Sequence, residues 1–332
     1  MNKAAVVTGG SAGIGLAIAD RLARAGWDVA ILARGKERLE EARVHLAKRG
    51  ARVLALPVDV ADAEAVNAAA DRIEAELGPI GAWVNNAMST VVSKADQITP
   101  EEYQRVTATT YLSQVYGTLA ALRHMKPRRM GSIVQISSGL GIRPAPLQAA
   151  YCGAKAAVTG FTDALRAELL ADEVPVKLSV VYLPAVNTPQ PDWARNHTGH
   201  QQILPDPLFD PRLCAEATLS AIRHGHRDVW VGRTTMQMAL VQAISPSFAD
   251  RQVGSFIDAQ MGAPVGSKDG NLYEPGEGPA RIDGISTDRM LRTRQEFITS
   301  RHVGLVKAGL AASLLLGGAA VGAVAARALA RR

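Results

Sequence analysis

The chain has 332 residues, 47% hydrophobic and 20% charged, which is enough apolar side chain for one large core or two modest ones and excludes a disordered chain. Its two cysteines, Cys152 and Cys214, exclude a disulfide scaffold and a clustered cysteine zinc site. The net charge is +6, but Arg301, Lys307, Arg327, Arg331 and Arg332 stand in an acid-free final segment, so nucleic-acid binding by the main body is discounted.

From the amino terminus, short β-branched runs alternate with longer amphipathic stretches, the pattern of strand and helix units around a parallel sheet. No signal peptide is expected, because Met1 to Lys3 lead directly into the first apolar run. Strands are predicted over 4–7, 29–32, 53–57, 82–84, 132–137 and 177–182. Each is mostly apolar on both faces, as a sheet covered by helices on both sides requires. Helices are predicted over 15–24, 38–48, 63–76, 100–122 and 154–170. A Pro-rich, irregular insertion follows over 189–212, where Trp193 reads as part of an apolar lid. A helix at 213–224 and a strand at 228–232 come next. Residues 262–284 hold six glycines and three prolines and read as a loop or tether, with a short helix from Thr287.

The last predicted element is an uncharged run of 19 residues, 308–326, bracketed by Lys307 and Arg327. As a helix it is about 28 Å long, close to the hydrocarbon thickness of a bilayer, so a carboxy-terminal membrane anchor is expected. Gly318 and Gly322 give it a small-residue spacing that suits helix pairing. Arg289, Arg292, Arg294, Arg301 and Lys307 precede the run against three arginines after it, favouring a cytoplasmic main body. The expected organisation is a catalytic domain over 1–250, a tether and short helix over 251–300, and the tail over 301–332.

Two constellations carry chemistry. Directly after the first strand comes TGGSAGIG, residues 8–15. Here Gly9, Gly13 and Gly15 permit a tight turn and close backbone approach to a pyrophosphate at a helix amino end, with Ser11 and Ile14 in the same turn. The second strand ends in Ala33 and Arg34, with Lys36 and Arg38 nearby. No carboxylate meets a 2′-phosphate there, and Arg34 offers it a planar fork, so NADP is favoured over NAD. Further on, Tyr151 and Lys155 are four apart on a predicted helix and therefore share a face, while Ser138 ends the fifth strand. An ammonium beside a phenol favours the phenolate, and the serine hydroxyl can hold a substrate oxygen, so the three form a candidate proton-transfer site for carbonyl and alcohol interconversion. The histidines at 197, 200, 224 and 226 lack ligand partners at metal spacing, and no metal is expected.

TGGSAGIG, NNA at 85–87, ISS ending at Ser138, YCGAK at 151–155 and PAVNT at 184–188 together resemble the ordered signature of the short-chain dehydrogenase/reductase family, over roughly residues 3–245. The resemblance implies a Rossmann-type doubly wound parallel sheet, here with an irregular carboxy-terminal extension and a terminal hydrophobic helix. It implies a nicotinamide cofactor and Ser138, Tyr151 and Lys155 as the catalytic group. It also implies that Lys155 binds the nicotinamide ribose, that Asp59, followed by Val60, lies near the adenine, that Asn85 and Ala87 line the cofactor cleft, and that Pro184 and Thr188 lie on the nicotinamide side. A homo-oligomer is expected by the same resemblance. Three positions depart from the family pattern: Met88 and Ala185 stand where glycine is usual, and Thr110 aligns with the asparagine of the proton relay. The sequence therefore points to an NADP-dependent oxidoreductase acting on an apolar alcohol or carbonyl, tethered to a membrane. The alternative is a non-catalytic NADP-binding scaffold at a membrane.

Overall fold

A computed structural model describes residues 3–254, 257–293 and 296–300. In chain order the main elements are β1 (Ala4–Thr8), α1 (Gly13–Arg24), β2 (Asp28–Ala33), α2 (Lys36–Ala47), β3 (Val53–Pro57), α3 (Ala63–Glu76), β4 (Ile80–Asn85), α4 (Pro100–Thr107), α5 (Ser113–Arg128), β5 (Ser132–Ser138), α6 (Ala149–Ala171), β6 (Lys177–Leu183), α7 (Pro211–His224), β7 (Asp228–Val231), α8 (Arg233–Ile244), α9 (Pro246–Gly254) and β8 (Phe297–Thr299). The strands form one sheet in the order β8-β7-β6-β5-β4-β1-β2-β3, parallel except for β8.

β1 shows why this sheet is buried twice over. Its side chains alternate between faces: Ala5 and Val7 pack with α1 and α7, while Ala4 and Val6 pack with α3 and α5. Local signals agree with the layers. Asp62 caps α3 and Asp210 caps α7, and Thr99 with Glu102 forms a capping box ahead of Pro100 at the start of α4. Strand order reverses between β1 and β4, so their carboxyl ends part and leave a crevice at the topological switch point.

Three segments differ from the sequence reading. The helix expected over 100–122 is two helices joined by a π-helical turn at Ala108–Leu112, and the second runs on to Arg128. No helix starts at Thr287. Instead Met290–Leu291 pairs with Leu208–Phe209, and β8 adds antiparallel to β7. Period two wins there because Thr299 is buried while Ile298 is exposed, the alternation of a strand edge. Residues 262–284 fold back over the body, held at Asn196, Asn187 and Gly13 by main-chain hydrogen bonds. No described helix is long and apolar enough to cross a membrane. The run 308–326 lies outside the described residues.

Candidate active site

The crevice opens into a cavity of about 1180 Å³ that joins three regions: the glycine turn after β1, the ends of β5 and β6, and an outer chamber under α8 and α9. Gly9 adopts φ +67° and Gly13 φ +55°. A Cβ on Gly9 would lie 3.0 Å from the Ala87 Cα, and one on Gly15 would lie 2.1 Å from the Gly9 carbonyl oxygen. Glycine is therefore required by both conformation and space. α1 begins at Gly13, and its N-cap Ala12 offers no side-chain cap; the Gly13 amide donates to the Arg281 carbonyl at 2.9 Å, so an anion at this positive end would meet the amides beyond it. Ser11, Gly13, Ile14 and Gly15 all line the cavity there.

α6 carries Tyr151 and Lys155 one turn apart, and both line the cavity with Ser138 from the end of β5. Lys155 is 1% exposed. Its Nζ donates to the Ile136 carbonyl at 2.6 Å and lies 5.7 Å from the Tyr151 ring centroid. The Ser138 Oγ accepts from the Leu140 amide at 3.1 Å, and the Ser138 side chain is hydrogen-bonded to Tyr151. Burial raises the Tyr151 pKa well above that of a free phenol, more than the Ser138 bond lowers it. Burial also pushes Lys155 down from 10.5 to about 7. The sequence reading expects the ammonium to acidify the phenol. In the structure both groups are desolvated, which disfavours phenolate and ammonium alike, and burial outweighs the neighbour. At neutral pH the phenol keeps its proton.

Most other predicted site residues line the same cavity: Arg34, Asp59, Val60, Ala87, Pro184 and Thr188, along with Met88 and Ala185. Asn85 does not line it. Its amide lies behind the wall, fully buried, accepting from Trp83 Nε1 at 2.8 Å and donating to Thr118 and Gln135. The neighbouring Asn86 takes the cleft position, donating to the Thr8 carbonyl at 2.9 Å. Burial would raise the Asp59 pKa, but bonds from the Ala61 amide and Arg105 outweigh it and hold the carboxyl below its ordinary range. Thr110 sits in the π-helical turn. Its Oγ1 donates to the Ser89 carbonyl at 2.8 Å and accepts from the Ser89 amide at 3.0 Å, so its proton is committed to fixing the loop after β4.

Arg34 departs most from expectation. Four of its five N–H donors go to the carbonyl oxygens of Asn271 at 2.6 Å, Leu272 at 3.3 Å, Tyr273, and Glu274 at 3.2 Å. Trp193 lies at the same end, with Arg38 stacked on its ring at 4.2 Å, rather than over the outer chamber. The sequence reading omits Asn271, Pro275 and Gly276, which wall this end, and Met238, Val241 and Phe248, which line the outer chamber. The first three belong to a glycine-rich run whose anchoring atoms are main-chain carbonyls, and those leave no residue signature. The apolar spacing of α8 was readable, but nothing local says that it faces a cavity.

A family profile described as short chain dehydrogenase matches residues 3–197. The chain is 29% identical over 320 residues to the uncharacterized oxidoreductase YxnA of Bacillus subtilis, covering 95% of this chain and 89% of that protein. It is 32% identical over 189 residues to a fatty acyl-CoA reductase of Acinetobacter baylyi, covering 56% of this chain and 63% of that one. Among solved structures, a metagenomic short-chain oxidoreductase in complex with NADP superposes with a TM-score of 0.57 at 25% identity, over 66% of this chain and 90% of that one.

Proposed function

The chain belongs to the short-chain dehydrogenase family, and from that premise we propose that it reduces the carbonyl of an apolar substrate with NADPH, using Tyr151 as proton donor. One observation carries this reading: Ser138, Tyr151 and Lys155 share a single cavity with the glycine turn on one side and an apolar chamber on the other. The residues present fit a nicotinamide dinucleotide. Gly9 and Gly15 leave no room for side chains, and the uncapped end of α1 suits a pyrophosphate. When bound, the coenzyme supplies the hydride that reduces the carbonyl carbon. Ser138 holds the substrate oxygen, and the Tyr151 hydroxyl gives its proton to that oxygen as the alcohol forms. Lys155, at about 7, exchanges protons near neutrality and stands one turn from the phenol to restore it.

NADPH is preferred because residues 33 and 34 offer no carboxylate against a 2′-phosphate. Arg34 is committed elsewhere, and Arg38, which lines the same end of the cavity, is the cation on this side. The apolar substrate follows from Ile203, Leu204, Met238, Val241 and Phe248 around the outer chamber. The fatty acyl-CoA reductase among the relatives is consistent with it. Purified protein, supplied with NADPH and a series of aldehydes and ketones of increasing chain length, is expected to oxidise the coenzyme faster per micromolar of the longer substrates. Turnover confined to small hydrophilic carbonyls contradicts the substrate class. We further propose that residues 308–326 tether the protein to a membrane, on the strength of their uncharged length.

A further inference from the structure

The segment 271–281 crosses the adenosine end of the cavity opposite β2 and α2, and its fastenings are unusual. Four successive carbonyls, those of residues 271 to 274, converge on the single guanidinium of Arg34. Leu272 is fully buried with Val91, Val106 and Ala154, which fixes one end of the segment in an apolar cluster. Further along, Arg38 Nε donates to the Gly278 carbonyl at 3.0 Å and the Ala280 amide donates to Glu41 at 2.7 Å. The Gly13 amide, inside the glycine turn itself, donates to the Arg281 carbonyl at 2.9 Å. Pro275 closes so tightly over the turn from β2 into α2 that a Cβ on Gly35 would lie 3.3 Å from it.

A second observation is independent of these anchors. The side-chain amides of Asn271 and Gln190 both line the cavity and bond to each other, Asn271 Nδ2 to Gln190 Oε1 at 3.3 Å. Their other ends, Asn271 Oδ1 and Gln190 Nε2, are buried with no partner. Turning both amides over leaves the same inventory, one donor and one acceptor unused. Buried polar groups left unpaired are costly; neither atom is open to the cavity as it stands, and a small rotation of the two amides turns an unused donor and an unused acceptor toward a ligand carrying complementary oxygens and hydroxyls. A ribose and its phosphate supply both.

We propose that residues 271–281 are a strap that retains the dinucleotide, with Arg34 as its clasp and the Asn271 and Gln190 amides as its direct contacts with the sugar-phosphate of the coenzyme. The proposal rests on the reading that a nicotinamide dinucleotide fills this cavity. Arg34 is then a positioning residue for both NADPH and NADH rather than the receptor of a 2′-phosphate. Coenzyme leaves only when the carbonyls of 271–274 release the guanidinium, so release is slow.

The test is the dissociation rate of NADPH and of NADH from the full-length chain, followed by nicotinamide fluorescence, with limited proteolysis as a second readout. Arg34→Gln is expected to speed release of both coenzymes by a similar factor, about tenfold or more. Arg34→Lys is expected to restore little, since a point charge cannot serve four carbonyls. Asn271→Ala, which leaves the clasp in place, is expected to speed release of both as well, and it decides the matter if Arg34→Gln lowers the melting temperature too far to measure. Bound coenzyme is expected to protect the segment 271–281 from cleavage in the parent and much less in Arg34→Gln. Loss of NADPH binding alone, rescued by Arg34→Lys, overturns the proposal in favour of a 2′-phosphate receptor. Unchanged release in both Arg34→Gln and Asn271→Ala overturns it in favour of simple packing. Failure of the parent to bind either dinucleotide overturns the functional reading itself, and this one with it.

Discussion

Tyr151 and Lys155 are one helical turn apart in the cavity wall, and burial governs how both titrate. Lys155 holds its proton up to pH 10.5 in water but only to about 7 when folded. Between those values the unfolded chain binds one more proton than the folded chain, so stability of the coenzyme-free protein rises with pH there. Below about 7 both states are protonated and the full cost of burying the ammonium applies. Tyr151 acts with the opposite sign above pH 10, where the unfolded chain ionises first. Lys155→Met is therefore expected to flatten the gain between pH 7 and 10, a slope of up to about 1.4 kcal/mol per pH unit. Denaturant titrations of parent and variant at four or five pH values check it, and parallel curves refute it. At this scale the sequence was informative wherever function needs residues close along the chain, as in 8–15 and 151–155. The carbonyl partners of Arg34 were hidden because they lie 237 to 240 residues later. Asn85 was misread because its neighbour Asn86 points the other way from the strand end.

At the level of elements, α1 depends on the glycine turn that precedes it. Gly15→Ala places a methyl 2.1 Å from the Gly9 oxygen and 2.6 Å from the Asn86 amide nitrogen. The turn must open, at a cost of about 1–3 kcal/mol, and dinucleotide binding is expected to fall with it. Thermal unfolding and a fluorescence titration measure the two effects, and a variant with unchanged melting and unchanged affinity contradicts the assigned role. The seven parallel strands from β1 to β7 were legible because each is a short, mostly apolar run bounded by turn residues. β8 was not, since three residues carry too little pattern, and the π-helical turn at Ala108–Leu112 keeps helical periodicity on both sides and so hides in the sequence.

For the whole molecule, the parallel sheet puts the candidate site at one pole, the carboxyl ends of its strands. β8 runs the other way, and the described chain ends at Ser300, whose Oγ accepts from the Asp228 amide at the opposite end of β7. A tether leaving from there does not by itself bring the cavity mouth to a bilayer, so the apolar substrate rests on the lining of the outer chamber. If 308–326 anchors the protein, the full chain is expected to sediment with membranes through a high-salt wash and to leave them only with detergent, while a chain ending at Ser300 stays in the supernatant. Equal partitioning of the two contradicts the anchor. The alternation of strands and helices announced the sheet, but the closing of the cavity by residues from beyond 230 is a long-range event with no local pattern.

The most direct measurement mixes the full chain with NADPH and an excess of a long-chain aldehyde and follows the nicotinamide absorbance, in parallel with Tyr151→Phe. The parent is predicted to oxidise the coenzyme, and the variant to do so at least about 100-fold more slowly while binding it equally well. Equal rates in the two proteins would contradict proton donation by Tyr151.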